Sequence, residues 1–230
     1  MILSERPKSS FPRRLAAGVC GHAIRLFARL VTAVRPVWQG IDPAQGGQRI
    51  YFANHASHGD FILIWSTLPE RQRRATRPVA GADYWGKGGL RSFIGRDVFH
   101  SLLIDRQRNE AVRTDPVGQM AAALDRGSSL ILFPEGTRNT TDEILLPLKS
   151  GLFHLASARP EVDLVPVWID NLNRVLPKGA VIPVPLMCKV LYGAPMRLQP
   201  DETKTAFLDR ARQAMLDLRQ DANDKGEERA

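Results

Sequence analysis

Along the chain, apolar runs alternate with polar turns, most plainly from Ile50 to Ile64, where two apolar runs flank Asn54-His55-Ala56-Ser57-His58-Gly59-Asp60. That pattern predicts a strand over Arg49 to Ala53, a tight turn, and a helix that runs to about Leu68 and is ended by Pro69. Upstream, from Arg13 to about Val34, Arg14, Gly18, His22, Arg25, Arg29 and Thr32 recur at three- and four-residue steps, with aliphatic residues filling the rest of the circumference. This predicts an amphipathic helix with an arginine stripe. Downstream, Pro78 to Ala82, Val98 to Ile104, Ser129 to Phe133, Val162 to Ile169 and Leu186 to Tyr192 read as strands. Asp115 caps a helix opened by Pro116 and continued to Asp125; further helices are expected over Ser150 to Ala158 and Asp201 to Gln220. Glu70 to Arg77 reads as a basic connection, Tyr84 to Ile94 as weakly helical or looped, and Asp170 to Pro185 as loop.

Strands separated by helices predict an α/β fold: a single domain with a largely parallel central sheet flanked by helices and preceded by the N-terminal amphipathic helix. The expected divisions are 1–38 for the arm and helix, 39–220 for the domain, and 221–230 for a charged tail. The length of 230 residues fits one such domain better than two.

Charge adds a partner class. With 32 basic against 24 acidic residues the formal charge is +8, which favours a polyanionic partner such as nucleic acid, an anionic membrane surface or a phosphorylated substrate. The two cysteines, Cys20 and Cys188, have no spacing partner, so neither a disulfide framework nor a zinc site is expected, and a reducing compartment fits best. No run approaches the roughly 20 uninterrupted apolar residues that a membrane span requires, so no span is expected; the apolar segment after Arg13-Arg14 is short for a signal peptide, and Arg25 and Arg29 interrupt its continuation. The N-terminal helix suits two settings: lying in a membrane surface with aliphatics among acyl chains and guanidinium groups at phosphates, or packed on the domain with solvated arginines.

Candidate chemistry sits at two strand ends. His55 at the end of one strand and Asp60 in the first turn of the next helix are spaced so that the carboxylate reaches back to the imidazole and makes it a general base. Ser57 and Asp60 also form a Ser-x-x-Asp capping pattern, in which Asp60 only satisfies helix amides. His55, His58 and Asp60 form a metal-like triplet, but the remaining His22, His100 and His154 stand in no carboxylate-rich cluster, and no metal is expected. At the second strand end, Phe133-Pro134-Glu135-Gly136-Thr137-Arg138 makes a tight exit in which Gly136 admits close backbone approach and Arg138 suits a phosphate, with Lys149 adding charge.

Together, Asn54-His55-x-x-x-x-Asp60 and Phe133 to Arg138 resemble the paired motifs of the glycerolipid acyltransferase family that includes 1-acylglycerol-3-phosphate acyltransferases. Ile104-Asp105-Arg106 and Val165-Pro166-Val167 look like two weaker blocks of that family, and the likeness covers about Gly40 to Tyr192. The resemblance implies an O-acyltransferase in which His55, oriented by Asp60, deprotonates an acceptor hydroxyl that attacks acyl-CoA or acyl carrier protein without an acyl-enzyme. It also implies that Arg106, Glu135, Gly136, Thr137 and Arg138 hold a lysophospholipid acceptor, and that no cofactor is needed beyond the thioester co-substrate. It favours the in-plane setting for the N-terminal helix, at the cytoplasmic face of the membrane on anionic lipids. Two segments depart from the family pattern and both bear on acceptor recognition: Arg96, Asp97 and His100 before Arg106, and Asn139-Thr140-Thr141 after Arg138. The rival readings are a thioesterase or lipid hydrolase using the same pair on water, and a non-catalytic lipid-binding protein. Nucleic-acid binding would explain the charge but neither motif.

Overall fold

The structure, a computed structural model, describes residues 10–57, 59–85, 88–105, 115–170 and 188–227. The chain opens with helix α1 (Phe11–Thr32), strand β1 (Arg35–Trp38), strand β2 (Arg49–Ala53), helix α2 (Asp60–Thr67), helix α3 (Glu70–Ala75) and strand β3 (Thr76–Gly81). Two short helices, α4 (Ala82–Trp85) and α5 (Gly89–Phe93), lead into a π-helical turn (Ile94–Val98) and strand β4 (Leu102–Ile104). Then come α6 (Pro116–Asp125), β5 (Ser129–Leu132), α7 (Gly151–Ala158), β6 (Asp163–Asp170), β7 (Lys189–Tyr192) and α8 (Lys204–Glu227).

The strands form one seven-stranded sheet in the order β1-β7-β6-β2-β5-β3-β4. All neighbouring pairs run parallel except β6 and β7. Both faces are covered, which is why the central strands read as unbroken apolar runs. Alternation along each strand decides which cover a side chain meets. Ile50 and Phe52 of β2, with Leu130 and Leu132 of β5, pack under α6, α7 and α8, whereas Tyr51, Ala53 and Ile131 pack under α1 and α2. In α8, Phe207, Ala211, Met215, Leu218 and Ala222 are all buried, and their spacing forms one helical face.

Several local expectations are corrected. Glu70 to Arg77 is not a connection: α3 restarts after Pro69, with Glu70 in its first turn and Arg73 and Arg74 in its last, which suits the helix dipole. The strand expected over Val98 to Ile104 keeps only Leu102–Ile104, because Val98 and Phe99 turn away to pack with Ala17 of α1 and Trp65 of α2. Arg35–Trp38 is an additional strand at the sheet edge, a place that tolerates Pro36; Trp38 stacks on Tyr192 at 4.0 Å. Helix α8 runs past Gln220 to Glu227, with Ala222 buried on the core. The loop expected over Asp170 to Pro185 lies outside the described residues apart from Asp170 itself.

Helix α1 packs on α2 and the π turn along one side and leaves Phe11, Leu15, Val19, Leu26, Phe27 and Leu30 exposed on the other. By length and composition α1 is large and apolar enough to cross a membrane, although its sequence is punctuated by arginines.

Candidate active site

Strands β2 and β5 are parallel neighbours in the register Phe52 to Leu132, so their carboxyl ends lie at the same sheet edge. This register brings together two motifs far apart in sequence, at the place where open parallel sheets bind ligands. Asn54, just past β2, holds the edge together: its side-chain amide donates to Ile169 O at 3.1 Å while its oxygen accepts from Ile169 N at 2.8 Å.

His55 Nδ1 meets Asp60 Oδ2 at 2.7 Å. A carboxylate only accepts, so the contact places the proton on Nδ1 and leaves the lone pair on Nε2. The same Oδ2 accepts from Ala56 N at 2.7 Å and Ser57 N at 3.0 Å, so Asp60 locks the turn as well as the ring. The capping alternative is thus resolved in an unexpected form. Asp60 binds amides of the turn before the helix, and Ser57 Oγ, accepting from Gly59 N at 3.2 Å, stabilises the turn separately. Asp60 is 1% exposed, and its Oδ1 is buried with no hydrogen-bond partner among the described residues. The carboxylate charge is therefore weakly solvated and held beside the imidazole. On its other side the His55 ring stacks on Phe133, centroids 4.1 Å apart, which fixes the ring plane.

Glu135 has a different place from the one expected. It is 1% exposed, with Oε1 accepting from His55 N at 2.7 Å and Oε2 from Leu146 N at 3.0 Å. Both oxygens are occupied by backbone amides, so the side chain ties β5's exit loop to the histidine rather than presenting itself to a ligand. Burial pushes the Glu135 carboxyl up from its ordinary value, against the two amide bonds and the neighbouring His55, which pull it down. Asn139 N donates to His55 O at 2.6 Å, a further clamp that the linear motifs did not signal.

Gly136 adopts φ +73°, and a Cβ there would stand 3.2 Å from Lys149 Cγ. The left-handed conformation favours glycine, and a Cβ would in addition make the Lys149 side chain give way. Gly136, Thr137, Arg138 and Lys149 line a cleft of about 470 Å³ together with His55. Its remaining lining includes Phe61, Val79, Trp85, Met120, Leu132 and Leu152, so cationic groups and an apolar wall share one cavity with the histidine. Among the described residues no three His, Cys, Asp or Glu side chains gather as a metal site. Arg106 and His58 lie outside the described residues.

Residues 35–170 match the family model described as Acyltransferase. The chain belongs to the Acyltransferase family. Among curated relatives, the 1-acyl-sn-glycerol-3-phosphate acyltransferase of Limnanthes douglasii is 31% identical over 150 residues, which is 62% of this chain and 48% of the plant protein. The protein of the same name from Salmonella typhimurium is 29% identical over 174 residues, covering 70% of this chain and 63% of that one. This chain thus spans about half the length of the plant relatives it matches. Among solved structures, the 1-acyl-sn-glycerophosphate acyltransferase PlsC from Thermotoga maritima superposes with a TM-score of 0.65 at 18% identity, over 92% of this chain and 83% of that one, which shows a shared fold. Both strand-end motifs of this member of the Acyltransferase family lie within the matched residues.

Proposed function

We propose that the chain is an O-acyltransferase that moves a fatty acyl group from a thioester, acyl-CoA or acyl carrier protein, to the free hydroxyl of a 1-acylglycerol-3-phosphate or a related lysophospholipid. The observation that carries this reading is the His55 Nδ1 contact to the buried Asp60 carboxylate, inside a cleft that also holds Arg138 and Lys149. In the proposed step, His55 Nε2 takes the acceptor hydroxyl proton as its oxygen attacks the thioester carbonyl carbon. Asp60, charged and poorly solvated, stabilises the imidazolium that forms. The C–S bond then breaks, and the imidazolium proton passes to the leaving thiolate, so His55 is regenerated without an acyl-enzyme. Arg138 and Lys149 hold the acceptor phosphate, Gly136 and Thr137 shape its approach, and the apolar wall takes the acyl chain. By resemblance, Arg106 adds a further phosphate contact. Glu135 acts in this scheme by positioning the His55 backbone.

The relatives' names support the acceptor class, and the exposed apolar side of α1 supports work at a membrane surface. A helix carrying Arg14, Arg25 and Arg29, packed along one side on the domain, suits an in-plane position on the cytoplasmic leaflet better than a crossing one.

The test is an assay on phospholipid vesicles with acyl-CoA or acyl carrier protein as donor and a panel of lysophospholipids as acceptors, with the lipid products identified. A new diacyl lipid is the expected product. Thioester consumption with no acylated lipid would replace this reading with the hydrolase.

A further inference from the structure

A second, larger cleft of about 710 Å³ lies on the α1 side of the molecule, and it shares no lining residue with the cleft at His55. Trp65, Phe99, Phe61 and Trp85 pack edge to face in series between the two, with centroids 5.1, 4.9 and 5.9 Å apart. Trp65 belongs to the larger cleft, Phe61 and Trp85 to the smaller.

The larger cleft is lined by Arg14 and Arg25 from α1, Arg73 and Arg74 from α3, and Arg96 from the π turn. Its two carboxylates are already engaged. Asp97 accepts a two-pronged contact from Arg13 at 3.0 and 2.8 Å, and Glu70 is paired with Arg74. Arg14 and Arg25 make no ion pair among the described residues, so cleft arginines from three separate segments outnumber its two carboxylates, one of which Arg13 already holds. Arg73 reports the crowding: burial lowers its pKa, and the nearby charges of Arg25, Arg29 and Arg74 push the same way against Glu70. Guanidinium groups arranged around a concavity are the donor set for phosphate oxygens.

The position of this cleft points to the source of the phosphate. On α1, Arg14, Gly18, Gly21 and Arg25 face the cleft, while Leu15, Val19, Leu26 and Leu30, repeating on an adjoining face, are exposed. With that apolar face among acyl chains, the cleft opens at the depth of the headgroups. We infer that the cleft between α1, α3 and the π turn seats the phosphate of an anionic membrane phospholipid, at a site separate from the acceptor site. This rests on the in-plane reading of α1 proposed above.

The experiment measures binding of the full chain to phosphatidylcholine vesicles with and without phosphatidylglycerol, and reads the anionic-over-neutral affinity ratio. Four proteins are compared: wild type, Arg14→Gln/Arg25→Gln, Gly18→Phe, and Arg126→Gln/Arg219→Gln. The last pair removes the same charge from α6's end and α8, which cover the opposite sheet face. Gly18→Phe changes no charge. Gly18 lines the cleft and a Cβ there meets nothing within 4 Å, so the cleft wall has room for the added ring, and replacing glycine within a helix does not weaken it.

The ratio is expected to fall about tenfold or more in both Arg14→Gln/Arg25→Gln and Gly18→Phe, and to change by less than about threefold in the Arg126/Arg219 control. Equal losses in the cleft pair and the control pair would show diffuse attraction and overturn the inference. So would a Gly18→Phe protein that keeps the wild-type ratio, or one that, in a parallel binding assay with acyl carrier protein, instead loses binding to that acidic protein. If wild type bound neither kind of vesicle, the in-plane reading would fall together with the site. Neutral-vesicle binding without an anionic preference would overturn the site alone.

Discussion

At the scale of single residues, His55 has three of its freedoms removed by three different neighbours. Asp60 holds its Nδ1, Phe133 its ring plane and Glu135 its backbone N–H. Each can be tested apart. Asp60→Asn keeps an acceptor for the turn amides but loses the charge that stabilises the imidazolium, so kcat should fall on the order of 10²–10⁴ with KM little changed, measured by steady-state acyl transfer. Glu135→Ala leaves two part-buried amides without this partner, a loss of about 1 kcal/mol for each in a denaturant melt. A positioning role predicts a lower kcat with acceptor KM nearly unchanged; a rise in acceptor KM alone would restore Glu135 as a substrate contact. Its titration supplies a second check. A raised carboxyl pKa means that the folded protein binds the proton more tightly than the unfolded chain does. Stability is then greatest below the ordinary glutamate range and declines as pH rises through the raised value. The melting temperature of wild type should therefore drop relative to Glu135→Gln as pH is raised from acid toward neutrality. At Gly136, alanine would be strained at φ +73° and would press on Lys149, so Gly136→Ala is expected to lose about 1–2 kcal/mol of stability and some acceptor affinity.

At the scale of elements, α1 is the one whose exposed surface the domain does not explain. Replacing Leu26, Phe27 and Leu30 by serine, all exposed in the structure, should weaken vesicle co-sedimentation at least several-fold while leaving the melt nearly unchanged. Unaltered co-sedimentation would remove the in-plane reading. The elements also show where sequence patterns inform and where they fail. β2 and β5 were legible because both sheet faces are covered, which makes their apolar runs continuous and ends them abruptly at polar residues. The α6 cap was legible because it is local: Asp115 Oδ1 accepts from Gly118 N at 2.8 Å. Arg35–Trp38 was hidden by Pro36 and by the shortness of an edge strand, and Val98 and Phe99 look strand-like although they pack on helices. Glu135 read as a ligand contact because a carboxylate in a motif does not announce that backbone amides occupy it. The basic cleft drew its residues from 14–25, 65–74 and 96–100, and no local spacing reveals such a convergence.

For the whole molecule, the parallel sheet is what joins these parts, since the β2 and β5 register makes one cleft of two remote motifs. The net charge of +8 fits the same account, in which the arginines on the α1 side would face the negatively charged surface proposed above. Binding to anionic vesicles should consequently weaken as salt shortens the Debye length from about 30 Å at 0.01 M to about 8 Å at 0.15 M. The central claim is that His55 is the general base of an acyl transfer made directly from thioester to lipid hydroxyl. It is tested most directly by comparing wild type with His55→Ala for the rate of diacyl lipid formation on vesicles carrying lysophosphatidate, at saturating thioester. The account predicts a fall of about 10²-fold or more in the mutant, with vesicle binding and the melt retained. Acyl transfer at the wild-type rate by His55→Ala would contradict it.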